Sequence, residues 1–404
     1  MARLRFPSSL DRLTPEVVTS LLAEQHPGAV VTDVNVLQSA HRGDGVASTA
    51  DRVALELAYE RDVGLPSRML LKTVLLHRGL RFGPSSIALT GKLFDVLGSL
   101  PFGSLLRPWV FSAIGAYQRR YPHAPDAMYI NEVRFYRTIR PDLSIEAPEC
   151  FGSLFDQAHR SFGVLMEDLT LRDARFPNAT TTVTVEEIRG LVTTLAALHA
   201  RYWELPRLES ELGWLATPLS GGMYPVFQAL GLDLIRNQVE TNAYKAALIE
   251  PLGRTVDELW EALWRAQQML AAGPQTLLHG DPHIGNTYLL PDGRGGFLDW
   301  QLMVKGRWAH DLTYLLITGL AVEDRRAHER ALLSFYLDEL RRHGVQSPPD
   351  HNDAWLRYRQ AAIWGLVIGW LITPTENYGE AITTANISRL VTAVEDLETL
   401  KALL

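Results

Sequence analysis

Residues 277–286 read LLHGDPHIGN and are followed by NTYLL (286–290), PDGRGG (291–296) and FLDW (297–300). The first stretch gathers His279, Asp281, His283 and Asn286 around Gly280, Pro282 and Gly285, directly after an apolar pair. His279 and His283 stand four apart, the spacing of a zinc-binding helix. Pro282 lies between them and Gly285 follows, so no regular helix carries both. The glutamate that such a motif requires is also absent. A simple turn would need only Gly, Pro and an Asx residue, and many loops have those. The residues that follow discriminate. Two strand-like runs joined by a glycine-rich turn predict a hairpin that returns Asp299, at a strand end, to the neighbourhood of Asn286.

Asp281, Asn286 and Asp299 are therefore expected in one cleft. An aspartate able to accept a hydroxyl proton, with an asparagine and a second aspartate as hard oxygen ligands for Mg²⁺, is the equipment of phosphoryl transfer. The five-residue step from Asp281 to Asn286 is that of a kinase catalytic loop.

Composition sets the bounds around this loop. At 404 residues the chain is long for one core and predicts two domains or two lobes. With 47% hydrophobic and 21% charged residues, disorder over most of the length is excluded. A net charge of -7 offers no cationic footprint for nucleic acid. The single cysteine, Cys150, rules out an intrachain disulfide and a multi-thiolate metal site, and fits a reducing, cytoplasmic compartment. MARLRFPSSLDRLTPEVV at the start lacks an apolar core of signal-peptide length, so no targeting segment is expected. The longest uncharged stretch, QAAIWGLVIGWLITPT (360–375), is short for a bilayer and broken by Pro374; it predicts a buried helix.

The N-terminal third alternates strand-like runs with turns. RVALELAY (52–59) and RMLLKTVLL (68–76), separated by ERDVGLPS, predict a hairpin. A Gly/Pro-punctuated stretch over 79–125 reads as an insertion. DAMYINEVRFYRTIRP (126–141) predicts a helix, with Asp126 as N-cap and Pro141 as stop. TVEEIRGLVTTLAALHARYWE opens with a capping-box pattern, Thr184 to Glu187, and everything beyond Val304 reads as helical. The chain is thus α+β, a small antiparallel sheet lobe (1–168) and a larger helical lobe (169–404), divided near VLMEDLTL (164–171).

Two charges sit where apolar residues belong. Lys72 lies in a strand flanked by Met69, Leu70, Leu71, Val74, Leu75 and Leu76, which predicts burial on both sides. Glu132 shares a helix face with Met128, Phe135, Tyr136 and Ile139. Burying either alone is costly, whereas together they neutralise one another and can still face a third charge. The plainer alternative is a snorkelling lysine and a glutamate at the helix margin.

LLKTV, NEVRFY, VLMEDL, LAALHARYWE, HGDPHIGN and FLDWQ, in that order, resemble the aminoglycoside phosphotransferase and choline kinase superfamily, and within it the ecdysteroid-kinase-like branch. The resemblance runs from about Leu37 onward; HGDxxxxN followed by DW is its specific part. It implies a protein-kinase-like two-lobe fold with a hinge at Glu167, Asp168 and Leu169. By the same resemblance Lys72 holds the ATP α- and β-phosphates, Glu132 orients Lys72, Asp281 is the catalytic base, and Asn286 and Asp299 hold Mg²⁺. His279 would brace the loop, His283 and His199 would be structural, and Asp311 would cap a helix and support the loop. The phosphate-covering loop would be HRGDGVAST (41–49), with Gly43 and Gly45 but no third glycine at the protein-kinase spacing.

The expected function is that of an ATP- and Mg²⁺-dependent kinase acting on a hydroxyl of a small molecule, with no nucleic-acid partner and no membrane span. Trp355, Trp364 and Trp370 lie in a segment poor in acids, which favours a lipophilic alcohol as acceptor. The alternatives are an aminoglycoside or choline-type phosphotransferase, and a nucleotide-binding pseudokinase.

Overall fold

The computed structural model describes residues 7, 9–40, 50–74, 126–156 and 161–404. Gly43, Gly45 and the 79–125 stretch lie outside the described residues. The chain divides into two compact units, Met1–Asp142 with Pro148–Asp173, and Leu143–Ala147 with Ala174–Leu404.

The first unit is built on an antiparallel sheet of order β1-β2-β3-β5-β4, from β1 (Val31–Ala40), β2 (Asp51–Tyr59), β3 (Arg68–Thr73), β4 (Cys150–Asp156) and β5 (Ser161–Glu167). β2 and β3 form the predicted hairpin, with Arg52 opposite Lys72 and Ala54 opposite Leu70. Alternation decides what each face buries. Val53, Leu55, Leu57, Met69, Leu71 and Leu165 pack with Val18, Leu21 and Leu22 of α1 (Pro15–Leu22) into one core. Lys72, paired with Val164 of β5, points to the opposite face.

α2 (Asp126–Arg134) lies against that opposite face, where Tyr129 stacks on Phe162 with centroids 4.5 Å apart. The expected plain helix to Pro141 is not what forms. α2 widens into a π-helical turn over Phe135–Ile139 and ends in a 3-10 turn, Arg140–Asp142. The wider turn places the consecutive Phe135 and Tyr136 both in the interior.

The second unit is helical around two short antiparallel strand pairs: β6 (Thr276–Leu278) with β9 (Val304–Gly306), and β7 (Thr287–Leu289) with β8 (Gly295–Phe297). β9 corrects the expectation of uniform helix from Val304 onward. α3 (Val185–Tyr202) carries the predicted capping box, Thr184 and Glu187 each bonding the other's backbone. α4 (Ala243–Ile249), α5 (Val256–Ala271), α6 (Ala309–Gly319), α7 (Val322–Arg342), α8 (His351–Trp364), α9 (Thr375–Tyr378) and α10 (Glu380–Asp396) follow. α6 is buried along its whole length and packs on α3, α7, α8 and α10. α8 continues into a buried π-helical segment, Gly365–Leu371, so the stretch read as a core helix is one. Among the described residues no helix is long and apolar enough to cross a membrane.

Candidate active site

In the first unit Lys72 Nζ lies 2.8 Å from Glu132 Oε1, with the residues 4% and 1% exposed. The apolar neighbours of both positions, read from sequence, are what force this pairing. Losing one partner would strand a charge in the interior, at about 3–5 kcal/mol. At the predicted hinge, Asp168 takes hydrogen bonds from Thr170 N (3.0 Å) and Oγ1 (2.6 Å) and pairs with Arg68 (2.6 Å). Glu167 pairs with Arg172 (3.3 Å) and accepts from Glu149 N (3.2 Å). Leu169 is buried. The two hinge carboxylates are thus held within the first unit by their own neighbours.

In the second unit the loop between β6 and β7 is fastened on every side. Gly280 adopts φ 86°, and a Cβ there would meet Leu302 O at 2.0 Å, so only glycine fits. Its neighbour His279 braces the loop as expected. Nδ1 accepts from Asp281 N (3.2 Å), which leaves the proton on Nε2 to be donated to Leu298 O (2.8 Å). Asn286 Nδ2 donates to the Asp281 carbonyl (2.9 Å) and to Asp281 Oδ2 (3.0 Å). Leu298 N donates to Asn286 O (2.8 Å), so the β7–β8 hairpin brings Asp299 back to the loop as the sequence pattern predicts. Asp299 itself lies beyond the strand end, in the left-handed region at φ 63°.

Burial, with the nearby Asp299 carboxylate, pushes the Asp281 carboxyl well above its ordinary range, against the hydrogen bond from Asn286. A carboxylate so placed gains by taking up a proton, which suits a general base. Burial pushes the His283 imidazole down to about 3, so it is neutral. Its Nδ1 accepts from Gly285 N (3.1 Å), while Nε2 stands 3.5 Å from Tyr378 Oη and 3.9 Å from Asp281 Oδ2. A structural imidazole is the result.

Asp311 departs from its expected role as helix cap. It lies inside the first turn of α6, and its carboxylate accepts from His279 N (2.7 Å) and Gly280 N (3.0 Å). His199 on α3 holds it from behind, Nε2 3.2 Å from Asp311 and Nδ1 2.7 Å from Tyr336 Oη. Burial opposes its charge, yet the His199 hydrogen bond keeps the Asp311 carboxyl below its ordinary value. Support of the loop, the other half of the expectation, is what it provides.

Sequence reading missed further contacts. His310 Nε2 meets Gly280 O (3.1 Å), and Thr318 Oγ1 accepts from Ile284 N (3.2 Å). The signal available was a polar stripe, Asp311, Tyr314 and Thr318 at i, i+3 and i+7, on a buried helix. Of the tryptophans, Trp370 reaches the loop, 5.4 Å from the His283 ring and 4.8 Å from that of Tyr378. Trp364 lies against His310 (4.7 Å), and Trp355 stacks on Tyr358 under the Arg330 guanidinium.

The oxygen donors at this loop fit Mg²⁺. With its amide nitrogen turned to Asp281, Asn286 keeps a carbonyl oxygen, and Asp299 supplies a carboxylate whose charge repels that of Asp281. Mg²⁺ needs only one or two carboxylates, the rest coming from phosphates and water.

Fold and loop together define a phosphotransferase of protein-kinase-like architecture. The chain belongs to the phosphotransferase enzyme family (APH), which it matches over residues 116–359, more than half its length. The choline kinase of Cryptosporidium parvum Iowa II shares its fold, with a TM-score of 0.50, 11% identity, and coverage of 96% of this chain and 97% of that one. The choline kinase LicA of Streptococcus pneumoniae is also similar (TM-score 0.41, 14% identity, 95% and 98% covered). So is a spectinomycin phosphotransferase solved with ADP and spectinomycin (TM-score 0.44, 13% identity, 96% and 99% covered). No curated protein matches the sequence.

Proposed function

We propose that the chain is an ATP- and Mg²⁺-dependent kinase that phosphorylates the hydroxyl of a largely apolar small molecule, and that it falls in the ecdysteroid-kinase-like branch of its family. The observation that carries this reading is the loop: Asp281, bonded to Asn286 and repelled by Asp299, is a base whose protonation the site favours. In this mechanism Asp281 orients the acceptor hydroxyl and takes its proton. The hydroxyl oxygen bonds to the γ-phosphorus as the bond to the ADP oxygen breaks. Lys72, held in place by Glu132, binds the α- and β-phosphates. Asn286 and Asp299 would hold Mg²⁺, which when bound neutralises phosphate charge. The segment Glu167–Leu169 and the Gly43/Gly45 loop complete the nucleotide contacts in this reading.

The preference for an apolar acceptor rests on the rings beside Asp281. His283, Trp370 and Tyr378 form one aromatic group, and burial keeps His283 neutral. An aminoglycoside, a polycation, would call for carboxylates there. The rings would also suit a quaternary ammonium. The single cysteine suits a reducing, cytoplasmic location. One assay decides: ADP release from Mg·ATP with kanamycin-type aminoglycosides, choline and a series of lipophilic alcohols under one set of conditions. The account expects turnover with the alcohols. Efficient use of aminoglycosides alone would overturn the acceptor class, and ATP binding without any turnover would favour a pseudokinase.

A further inference from the structure

Tyr314 is the middle member of the polar stripe on α6. The outer two members hold the backbone of the loop: Asp311 at His279 and Gly280, Thr318 at Ile284. By helical spacing Tyr314 faces the residue between them, Asp281. It is 2% exposed, and its ring lies 6.1 Å from that of His283.

Its hydroxyl occupies a niche made by glycine. A Cβ on Gly365 would lie 2.6 Å from Tyr314 Cδ2, and one on Gly369 would lie 2.2 Å from Tyr314 Oη. Both glycines sit in the π-helical segment that follows α8, where glycine is otherwise a poor choice in an interior helix. With Gly365 open to the ring and Gly369 to the oxygen, this segment is shaped to a tyrosine.

We propose that Tyr314 is a positioning residue for Asp281, its hydroxyl held in the Gly369 niche so that it fixes the direction of the catalytic carboxylate. Burial and the charge of Asp281 push the Tyr314 phenol well above its ordinary range, so it stays protonated and can donate. Asn286 holds one side of that carboxylate through its amide; the phenol holds it from the α6 side. The inference rests on the phosphotransferase reading, because it assigns Tyr314 its role through Asp281.

The test is a cycle on the full chain of Tyr314→Phe, Gly369→Ala and the double variant. The readouts are kcat and KM for release of inorganic phosphate from Mg·ATP to water, the stoichiometry of Mg·ATP binding by calorimetry, and Tm. Tyr314→Phe should lower kcat roughly tenfold, the loss of one hydrogen bond to a charged group, with KM and binding stoichiometry unchanged. Unchanged stoichiometry separates this from a loss of folded protein. Gly369→Ala should lower kcat comparably, because its methyl displaces the hydroxyl. In the Phe background it should lower kcat little further, the nearest atom now being Cζ at 2.9 Å rather than Oη at 2.2 Å. A Tyr314→Phe protein with wild-type kcat overturns the inference, as does full additivity of the two substitutions. A wild-type protein that binds Mg·ATP but turns over neither water nor any alcohol overturns the parent reading, and the inference with it.

Discussion

Asp311→Ala removes the acceptor of two buried backbone donors, His279 N at 2.7 Å and Gly280 N at 3.0 Å, and the partner of His199 at 3.2 Å. Each orphaned backbone donor costs about 1–3 kcal/mol, so the two together should cost the variant roughly 2–6 kcal/mol. That is a large part of the ~5–15 kcal/mol that holds a domain together, yet it leaves the protein folded in the cold. For a unit of this size the expected fall in Tm is about 10 °C. Asp311→Asn keeps one acceptor oxygen and should lose about half as much. Because the folded Asp311 carboxyl is held below its ordinary value, its contribution is present above the unfolded pKa and disappears as pH falls through the folded one. The gap between wild type and Asp311→Ala should therefore be constant near neutrality and begin to narrow only below about pH 4. Calorimetric melting of the three proteins between pH 3 and 8 supplies the data. An Asp311→Ala protein melting with wild type, or a gap that closes near neutral pH, would refute this account of the loop.

Two further perturbations separate metal binding from packing. Asp299→Asn tolerates the left-handed backbone at φ 63° but removes a charged oxygen ligand. Calorimetry should show the Mg²⁺-dependent part of ATP affinity falling about tenfold, and an unchanged affinity would withdraw Asp299 as a ligand. Lys245 is fully buried, bonded to Gln238 Oε1 (3.0 Å) and to Thr373 O (2.6 Å), and burial pushes its pKa down to about 8 against the pull of Glu376. The unfolded chain thus binds the extra proton between pH 8 and about 10.5, so wild type should gain about 3 kcal/mol relative to Lys245→Met as pH rises through that window. Urea unfolding of the pair gives the slope; a flat or falling difference would show Lys245 to be charged throughout.

Much of the site was legible because its residues violate their surroundings. Lys72 and Glu132 stood out as charges in apolar patterns, and the structure joins them at 2.8 Å. Pro282 and Gly285 ruled out a helix at the loop, and the NTYLL–FLDW pattern returned Asp299 to Asn286. Tyr314 and Gly369 were hidden for the opposite reason. A tyrosine in an apolar helix reads as core, and a glycine's vacancy has meaning only once its neighbour is placed. Asp311 was expected both to cap a helix and to support the loop; the second role holds, because its carboxylate is spent on the loop's N–H groups and not on those of its own helix. The π-helical turns at Phe135 and Gly365 escaped because pattern reading assumes the α period.

The most direct test of the central claim is turnover by Asp281→Asn measured beside its affinity for Mg·ATP. Asparagine retains an oxygen for the Asn286 amide and removes a charge that burial and Asp299 disfavour, so the variant should melt no lower than wild type. The account predicts intact nucleotide binding with turnover reduced by about 10²–10⁴-fold, the usual share of a general base. A folded Asp281→Asn protein that binds Mg·ATP and turns over like wild type would contradict it.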